Sequence, residues 1–409
     1  MIASMKDSSM KMAKAFLVLG ASNANRYSLT EFANIPGIKL IIADHNPQSI
    51  GGKIAHAFET VDITNGGDVL HIAERYSISG IYAMNDHSLR AAAFVASRMG
   101  LKGQSMATAH CALDKGAMRE VWKSYGIPQP EFKVVIHERE VFEFAKKVGF
   151  PLVIKPVDCG GGGRGVFVIE NELEISQGFQ FASGFLHRNN RMIVEEFIEG
   201  IETSVEVIVF KKKTYLVAFS DKFKPPFKSR VATKINYIGN FPQHVVEEIK
   251  EISKSALAAI GMEEGLGHIE YIVQPDHTIK ILEMGARVGG GHTFHPIASH
   301  VSGMNYPVWI AQYYLNEMEP PILTSYKGAC YYFFYSPKAG TLKSVTGVEE
   351  AKMIPDVFSI EIWKNIGDKI NPLSNSMERT GCIITLSDNR ENAIMAAEKA
   401  ASLIKFEIE

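Results

Sequence analysis

The chain has 409 residues, 46% of them hydrophobic, so it can bury a substantial core, and its length favours two or three domains over one. Lys and Arg total 43 against 45 Asp and Glu, a formal net charge of -2, which provides no electrostatic footprint for nucleic acid or an anionic membrane; small-molecule partners are expected. Four widely spaced cysteines, Cys111, Cys159, Cys330 and Cys382, form no C-x-x-C pair, which argues against a zinc knuckle or a disulfide framework and for a reducing cytoplasm; the first residues lack the apolar run of a signal peptide.

From Ala15 to Leu101 the β-like runs AFLVLG, IKLIIAD and GIYAMND alternate with helical stretches near Leu29, near Leu70 and over LRAAAFVASRMG. That alternation predicts parallel βαβ units, an α/β domain whose sites lie at the carboxyl ends of the strands. Asn23, Asp44 and Asp86 lie at or just beyond three such ends. They read either as substrate contacts, Asp86 above all, or as turn residues and caps, Asp86 then capping the helix that contains Leu89. A helix over Ala112–Tyr125 ends at Gly126, with Pro128 after it. An α+β region follows, with strands FKVVI, PLVIK, GVFVI, RMIVEEFI, TSVEVIVF and YLVAFS, the last two joined by an exposed tip at Lys211 to Lys213. From about Lys327 a further α+β module has strands around CYYFFY and GCIITL and a final helix Glu391–Ile404, with no evident catalytic signal. The expected domains are therefore 1–110, 111–325 and 326–409.

The segment FPLVIKPVDCGGGGRGVFVIE, residues 150–170, places Lys155 at the end of an apolar strand and a glycine loop before another strand. Gly160, Gly162 and Gly165 satisfy G-x-G-x-x-G, but the dinucleotide-binding form needs a helix next, and Val166 to Ile169 read as a strand. The P-loop pattern fails because Val166 stands where it needs Lys. What remains is a hairpin closing over a phosphate chain, as in the glycine-rich loop of kinases.

A second signal is HIEYIVQPDHTIKILEMGARVGGG, residues 268–291, in which two alternating strands flank a turn containing Pro275 and Asp276. A two-residue loop at Asp276-His277 sets Pro275 opposite Thr278 and Glu270 opposite Glu283; a loop centred on Pro275-Asp276 shifts the pairing by two. Facing carboxylates repel unless compensated, and a divalent cation compensates them. Arg287 and Gly289 to Gly291 follow, a permanent guanidinium beside flexible backbone suited to a carboxylate or a phosphoryl group.

On these residues the chain resembles the ATP-grasp superfamily, in particular the branch of carboxylate-amine ligases that contains biotin carboxylase, phosphoribosylglycinamide-type synthetases and L-amino acid ligases. The N-terminal part resembles the preATP-grasp domain. DKGAMREVWKSYGIPQP, the phosphate loop, VEEFIEGIETSVEVIV and the metal hairpin are four ordered matches. The resemblance implies an ATP-grasp domain with a mobile lid over about 127–210, ATP and one or two Mg2+ ions as cofactors, and a homodimer. It implies that Lys115 and Lys155 contact phosphates, that the loop Gly160, Gly161, Gly162, Gly163, Arg164 and Gly165 covers them, and that Glu195 accepts from the adenine amino group or nearby backbone. Glu196 and Ile198 would supply the backbone hinge, Glu202 the ribose contact, Glu270 and Glu283 the metal ligands, with Glu283 and Arg287 catalytic. Read alone, Lys115 is also compatible with a solvated helix lysine and Glu202 with a strand-face carboxylate. Many relatives carry an asparagine two residues after the second glutamate; here Gly285 stands there, so a second ion loses a ligand. Lys222, in FSDKFKPPFK, is a candidate phosphate or substrate contact on a mobile loop. His292, His295 and His300 follow Arg287, the first two as substrate candidates; the H-x-x-H spacing suggests zinc, but no further ligand cluster is evident in the sequence. The implied activity is the joining of a carboxylate to an amine through an acyl phosphate, with an amino acid or similar metabolite as substrate. The alternatives are a purine-pathway carboxylase, a formate-dependent transformylase, or a regulatory protein that binds ATP without turnover.

Overall fold

The computed structural model describes residues 13–158, 160–186, 189–225, 230–317, 319–324 and 326–409. They divide into two compact units: the residues up to Ser105 with Tyr306–Glu319, and Met106–Asn305 with Pro320–Glu409.

The first unit is built on β1 (Lys14–Leu19), β2 (Ile38–Asp44), β3 (Ala57–Thr60) and β4 (Gly80–Ala83), all parallel in the order β3-β2-β1-β4. Phe16, Leu17, Val18 and Leu19 are all fully buried, so consecutive residues are covered on both faces of the sheet, the pattern that βαβ crossovers produce. The buried Asp44 accepts from Ala21 N at 2.7 Å and Asn46 N at 2.8 Å, which ties the turn after β1 to the end of β2. The capping role expected of Asp86 falls to its neighbour: Asn85 Oδ1 accepts from Ser88 N at 3.1 Å, and Asp86 is the first residue of the turn so capped. The distant helix Tyr306–Tyr314 belongs to this unit, with the Tyr82 and Tyr314 rings 5.3 Å apart and Lys14 Nζ 2.8 Å from Glu317 Oε1.

In the second unit the helix expected over 112–125 is two helices, Met106–Leu113 and Lys115–Ser124, broken at Asp114. Asp114 takes an extended conformation and accepts from Ala117 N at 2.9 Å, so it caps the second helix rather than continuing the first. A four-stranded antiparallel sheet follows, formed by β5 (Phe132–Val135), β6 (Leu152–Pro156), β7 (Phe167–Ile169) and β8 (Met192–Glu196) in the order β5-β8-β6-β7. Val141, Phe144, Ile175 and Ala182 of two covering helices share one core with Leu152, Ile154 and Val194 of this sheet.

The remaining strands are β9 (Ile201–Phe210), β10 (Lys213–Phe223), β11 (Lys234–Tyr237), β12 (Gly265–Val273), β13 (Ile279–Gly285), β14 (Gly328–Phe334), β15 (Gly340–Thr346), β16 (Val357–Ile362), β17 (Lys369–Ile370), β18 (Gly381–Ser387) and β19 (Lys405–Ile408). Eight of them form one antiparallel sheet in the order β13-β12-β9-β10-β11-β14-β18-β16, and β17-β15-β19 form a small second one. Lys211 and Lys212 both have positive φ and form a two-residue turn between β9 and β10, within the exposed tip expected at Lys211 to Lys213, with Lys213 already paired to Phe210. Of the strands expected to form a module of their own, β14, β16 and β18 continue the sheet that holds β9 to β13, and the helix Arg390–Leu403 packs on β14. Among the described residues no helix is long and apolar enough to cross a membrane.

Candidate active site

Strand periodicity builds one polar face on the large sheet. Along β9, Glu202, Ser204 and Glu206 alternate with Thr203 and Val205. Register sets Glu202 opposite Lys222 of β10, Glu206 opposite His268 of β12, and Glu270 between Ser204 and Glu283 of β13. The expected pairing of the two glutamates is present, but by another route. Val273 pairs with Ile279 and Gln274 N donates to Thr278 O, so the turn holds three residues with His277 at φ +70, and Pro275 does not face Thr278. A register shift between Glu270 and Tyr271 then restores the glutamate pair.

Lys222 is not on a mobile loop. It lies in β10 with its side chain 8% exposed, because strand alternation turns it onto the acidic face; its Nζ lies 3.0 Å from Glu202 Oε1 and also pairs with Glu270. Lys224 pairs with the other oxygen of Glu202. Burial alone would lower the Lys222 ammonium, but Glu270 and Glu202 raise it, and the same contacts hold both carboxyls below their ordinary range. His268 joins the network, with Nδ1 2.6 Å from Glu206 Oε1 and Nε2 3.6 Å from Glu270 Oε1; against burial, Glu206 and Glu270 raise its imidazole to about 9. Residues 226–229 of the segment containing Lys222 lie outside the described residues.

The smaller sheet contributes Lys155 and Glu195. Lys155 Nζ is 2.7 Å from Glu195 Oε2, and Arg119 Nε is 2.7 Å from Glu195 Oε1. Both oxygens of Glu195 therefore face cations. Arg119 also donates to Ile281 O and Leu282 O at 2.8 Å each, linking its helix, β8 and β13. Sequence reading passes over Arg119, although it lies four residues after Lys115 and so on the same helix face. Burial would raise the Glu195 carboxyl, yet Arg119 and Lys155 outweigh it and lower it to about 2. Its contribution to stability, on the order of 3 kcal/mol, is thus fully present above the unfolded value of about 4.5 and is lost as pH falls through about 2. Urea unfolding of wild type and Glu195→Gln should show a gap that narrows between those two pH values; a pH-independent gap would refute the assignment.

Between the two sheets lies an open cleft. Lys115, Lys155, Gly160 to Arg164, Glu195, Glu196, Ile198, Glu202, Glu270 and Glu283 all line it, so most residues singled out in the sequence converge here. Lys115 Nζ is 3.2 Å from Glu283 Oε1. Lys224 and Arg230 add positive charge that sequence reading does not assign. The glycine loop joins β6 to β7 as the hairpin reading requires, and Gly162, Gly163 and Gly165 have φ of +84, +74 and +68, a conformation that strains other residues. Its tip is bonded to the C-terminal region, Ser376 N donating to Gly162 O at 2.9 Å. Cys159, just before the loop, lies outside the described residues. Of the expected hinge groups, the Glu196 N–H is taken, donating to Glu131 O at 2.9 Å.

Arg287 follows β13, with its guanidinium carbon 3.3 Å from where a Cβ on Gly285 would stand. The loop after it is anchored from below: Gly289 N donates to Glu206 Oε1 and Oε2 at 3.1 and 3.0 Å. A methyl at 289 would overlap Glu206 Oε1 and come within 2.8 Å of Thr293 Cγ2. Gly289→Ala is expected to cost about 1–3 kcal/mol in thermal unfolding; an unchanged melting temperature would contradict this anchoring. His292 is fully buried with Nε2 2.6 Å from Glu361 Oε1, His295 Nδ1 is 2.8 Å from Ser299 Oγ, and His300 Nε2 is 2.9 Å from Ser387 O. None of the three is among the residues described as lining the cleft, and Asp86 belongs to the first unit.

A cleft between a sheet with a glycine hairpin and a sheet with an acidic face is the arrangement of an ATP-grasp architecture. Residues 114–316 match the family "Carbamoyl-phosphate synthase L chain, ATP binding domain", and residues 332–409 match "L-amino acid ligase C-terminal domain 2". The chain is 25% identical over 301 residues to an L-arginine-specific L-amino acid ligase of Bacillus subtilis, covering 72% of each. It is 24% identical over 400 residues to a formate-dependent phosphoribosylglycinamide formyltransferase of Nitratiruptor sp., covering 94% of this chain and 95% of that one. The solved structure of an L-amino acid ligase from Bacillus licheniformis superposes with a TM-score of 0.83 at 19% identity, over 98% of this chain and 100% of that one. The chain belongs to the ATP-grasp superfamily of ATP-dependent ligases.

Proposed function

We propose that this ligase joins the carboxylate of an amino acid or similar small metabolite to an amine through an acyl phosphate, releasing ADP and phosphate. The reading is carried by the convergence of the glycine hairpin, Lys115 and Lys155 with the facing pair Glu270 and Glu283 in one cleft. Similarity to the B. subtilis ligase supports an amino acid as substrate.

A carboxylate oxygen attacks the γ-phosphorus of ATP, the bond to the bridging oxygen breaks, and ADP leaves. The amine nitrogen then attacks the acyl carbon, phosphate departs with the electron pair of the C–O bond, and the amine proton passes to solvent. No nucleophilic side chain is needed, only positioning and charge neutralisation. Lys115 and Lys155 would hold phosphate oxygens, the glycine hairpin would present backbone N–H groups and keep water from the acyl phosphate, and Arg287 would meet charge on the transferred group. Backbone at Ile198 would meet the base, and Glu202 the ribose. Glu270 and Glu283 fit magnesium: they offer hard oxygens on one face and each already draws an ammonium, Lys222 and Lys115. The ion would neutralise phosphoryl charge. Gly285 adds no ligand, and the Arg287 guanidinium fills the space beside it, which favours one ion over two.

The relative of nearly full coverage favours formate as the alternative carboxylate. ADP and phosphate release from MgATP, measured against free amino acids, dipeptides, formate with purine-pathway intermediates, and bicarbonate, separates these readings. Release that needs both an amino acid and an amine is expected. Release confined to formate with a purine-pathway amine moves the assignment to the transformylase, and a flat panel despite tight ATP binding to a regulatory protein.

A further inference from the structure

His292 sits in the short turn Gly291–Thr293, Glu361 in β16 and Cys382 in β18. β16 and β18 are antiparallel neighbours with Glu361 directly opposite Cys382, and His292 reaches the same place from the loop that follows Arg287. An imidazole nitrogen, a carboxylate oxygen and a thiol sulfur thus lie within 4.8 Å of one another. His292 and Cys382 are fully buried, while the Glu361 side chain is 15% exposed and gives the cluster its one wet side.

We propose that His292, Glu361 and Cys382 bind a divalent transition-metal ion, zinc by their ligand chemistry, with a fourth position open beside Glu361. Thiolate and imidazole select zinc over the hard cations magnesium and calcium, so the site is chemically distinct from the all-oxygen pair Glu270 and Glu283. Zinc bonds of about 2.0–2.3 Å in a tetrahedron hold ligand atoms about 3.3–3.7 Å apart. The His292–Glu361 contact, at 2.6 Å, is shorter than that spacing, and all three ligand atoms lie within 4.8 Å of one another, so the site is assembled before the ion enters. One thiolate and one carboxylate neutralise the double charge, which a buried ion requires. The bound ion would fix His292, and through it the Gly289–Gly291 backbone and Arg287, to the C-terminal strands; its role is therefore structural toward the loop. His295, whose spacing from His292 suggests a metal pair in the sequence, bonds Ser299 instead.

The test uses the full chain and needs no nucleotide. The protein, freed of metal by chelator and then dialysed against micromolar zinc and against buffer, is assayed for zinc per chain, and the chelated protein is titrated with Co2+. One equivalent of zinc is expected, together with an intense thiolate-to-cobalt charge-transfer band that is lost in Cys382→Ser and His292→Ala and kept in Cys330→Ser, a buried cysteine outside the cluster. Should Cys382→Ser fail to fold, Glu361→Gln, at the wet side, is expected to weaken zinc affinity at least tenfold. Less than a tenth of an equivalent of zinc with no charge-transfer band in the wild type overturns the proposal, as does a band that persists in Cys382→Ser.

Discussion

Arg119→Ala is expected to lower folding stability by about 3–5 kcal/mol. The side chain is only 1% exposed, and it serves three acceptors on two strands: Glu195 of β8, and the carbonyls of Ile281 and Leu282 on β13. Truncation leaves Glu195 buried with Lys155 as its remaining cation and strips two carbonyls of a charged donor. Lysine at 119 should recover only part of the loss, since a single ammonium cannot reproduce the planar fork. Urea unfolding at neutral pH measures the effect, and a loss below 1 kcal/mol would show that Arg119 is dispensable to the assembly of the cleft.

Glu283→Ala should act the other way, on turnover with little change in stability. Its side chain is 29% exposed and forms a single ion pair, with Lys115, so the fold loses about 1 kcal/mol or less. If it holds the metal over the transferring phosphoryl group, kcat should fall by about 10²–10³, with the remaining activity rising at high magnesium. Steady-state ADP release against magnesium concentration decides the matter. A variant with unchanged kcat would remove Glu283 from the reaction, whatever ATP affinity it retained.

The parts of this architecture legible in the sequence are those set by local periodicity. The βαβ alternation of the first unit, the strand on each side of the glycine loop and the facing glutamates all follow from two-residue or 3.6-residue patterns. The glutamate pair is predicted through a two-residue turn, and it survives because the extra residue at the tip is offset by the shift beside Glu270. Contacts between residues far apart in sequence leave no such trace. Lys222 reads as a loop lysine because the proline-containing stretch after it suggests a turn, whereas β10 continues through it to Phe223. The cluster at His292 joins residues 69 and 90 positions away, and the role of Arg119 depends on carbonyls, which no side-chain pattern reports.

The return of Tyr306–Glu319 to the first unit has a consequence for how the chain can be taken apart. The backbone passes between the units three times, after Ser105, after Asn305 and after Glu319. A single protease nick at any one of these crossings leaves at least one fragment carrying part of both units, so neither unit can be released whole by one cleavage. Fragment expression faces the same topology: a stand-alone second unit needs an artificial link from residue 305 to residue 320, and residues 306–319 must be fused back to the first unit.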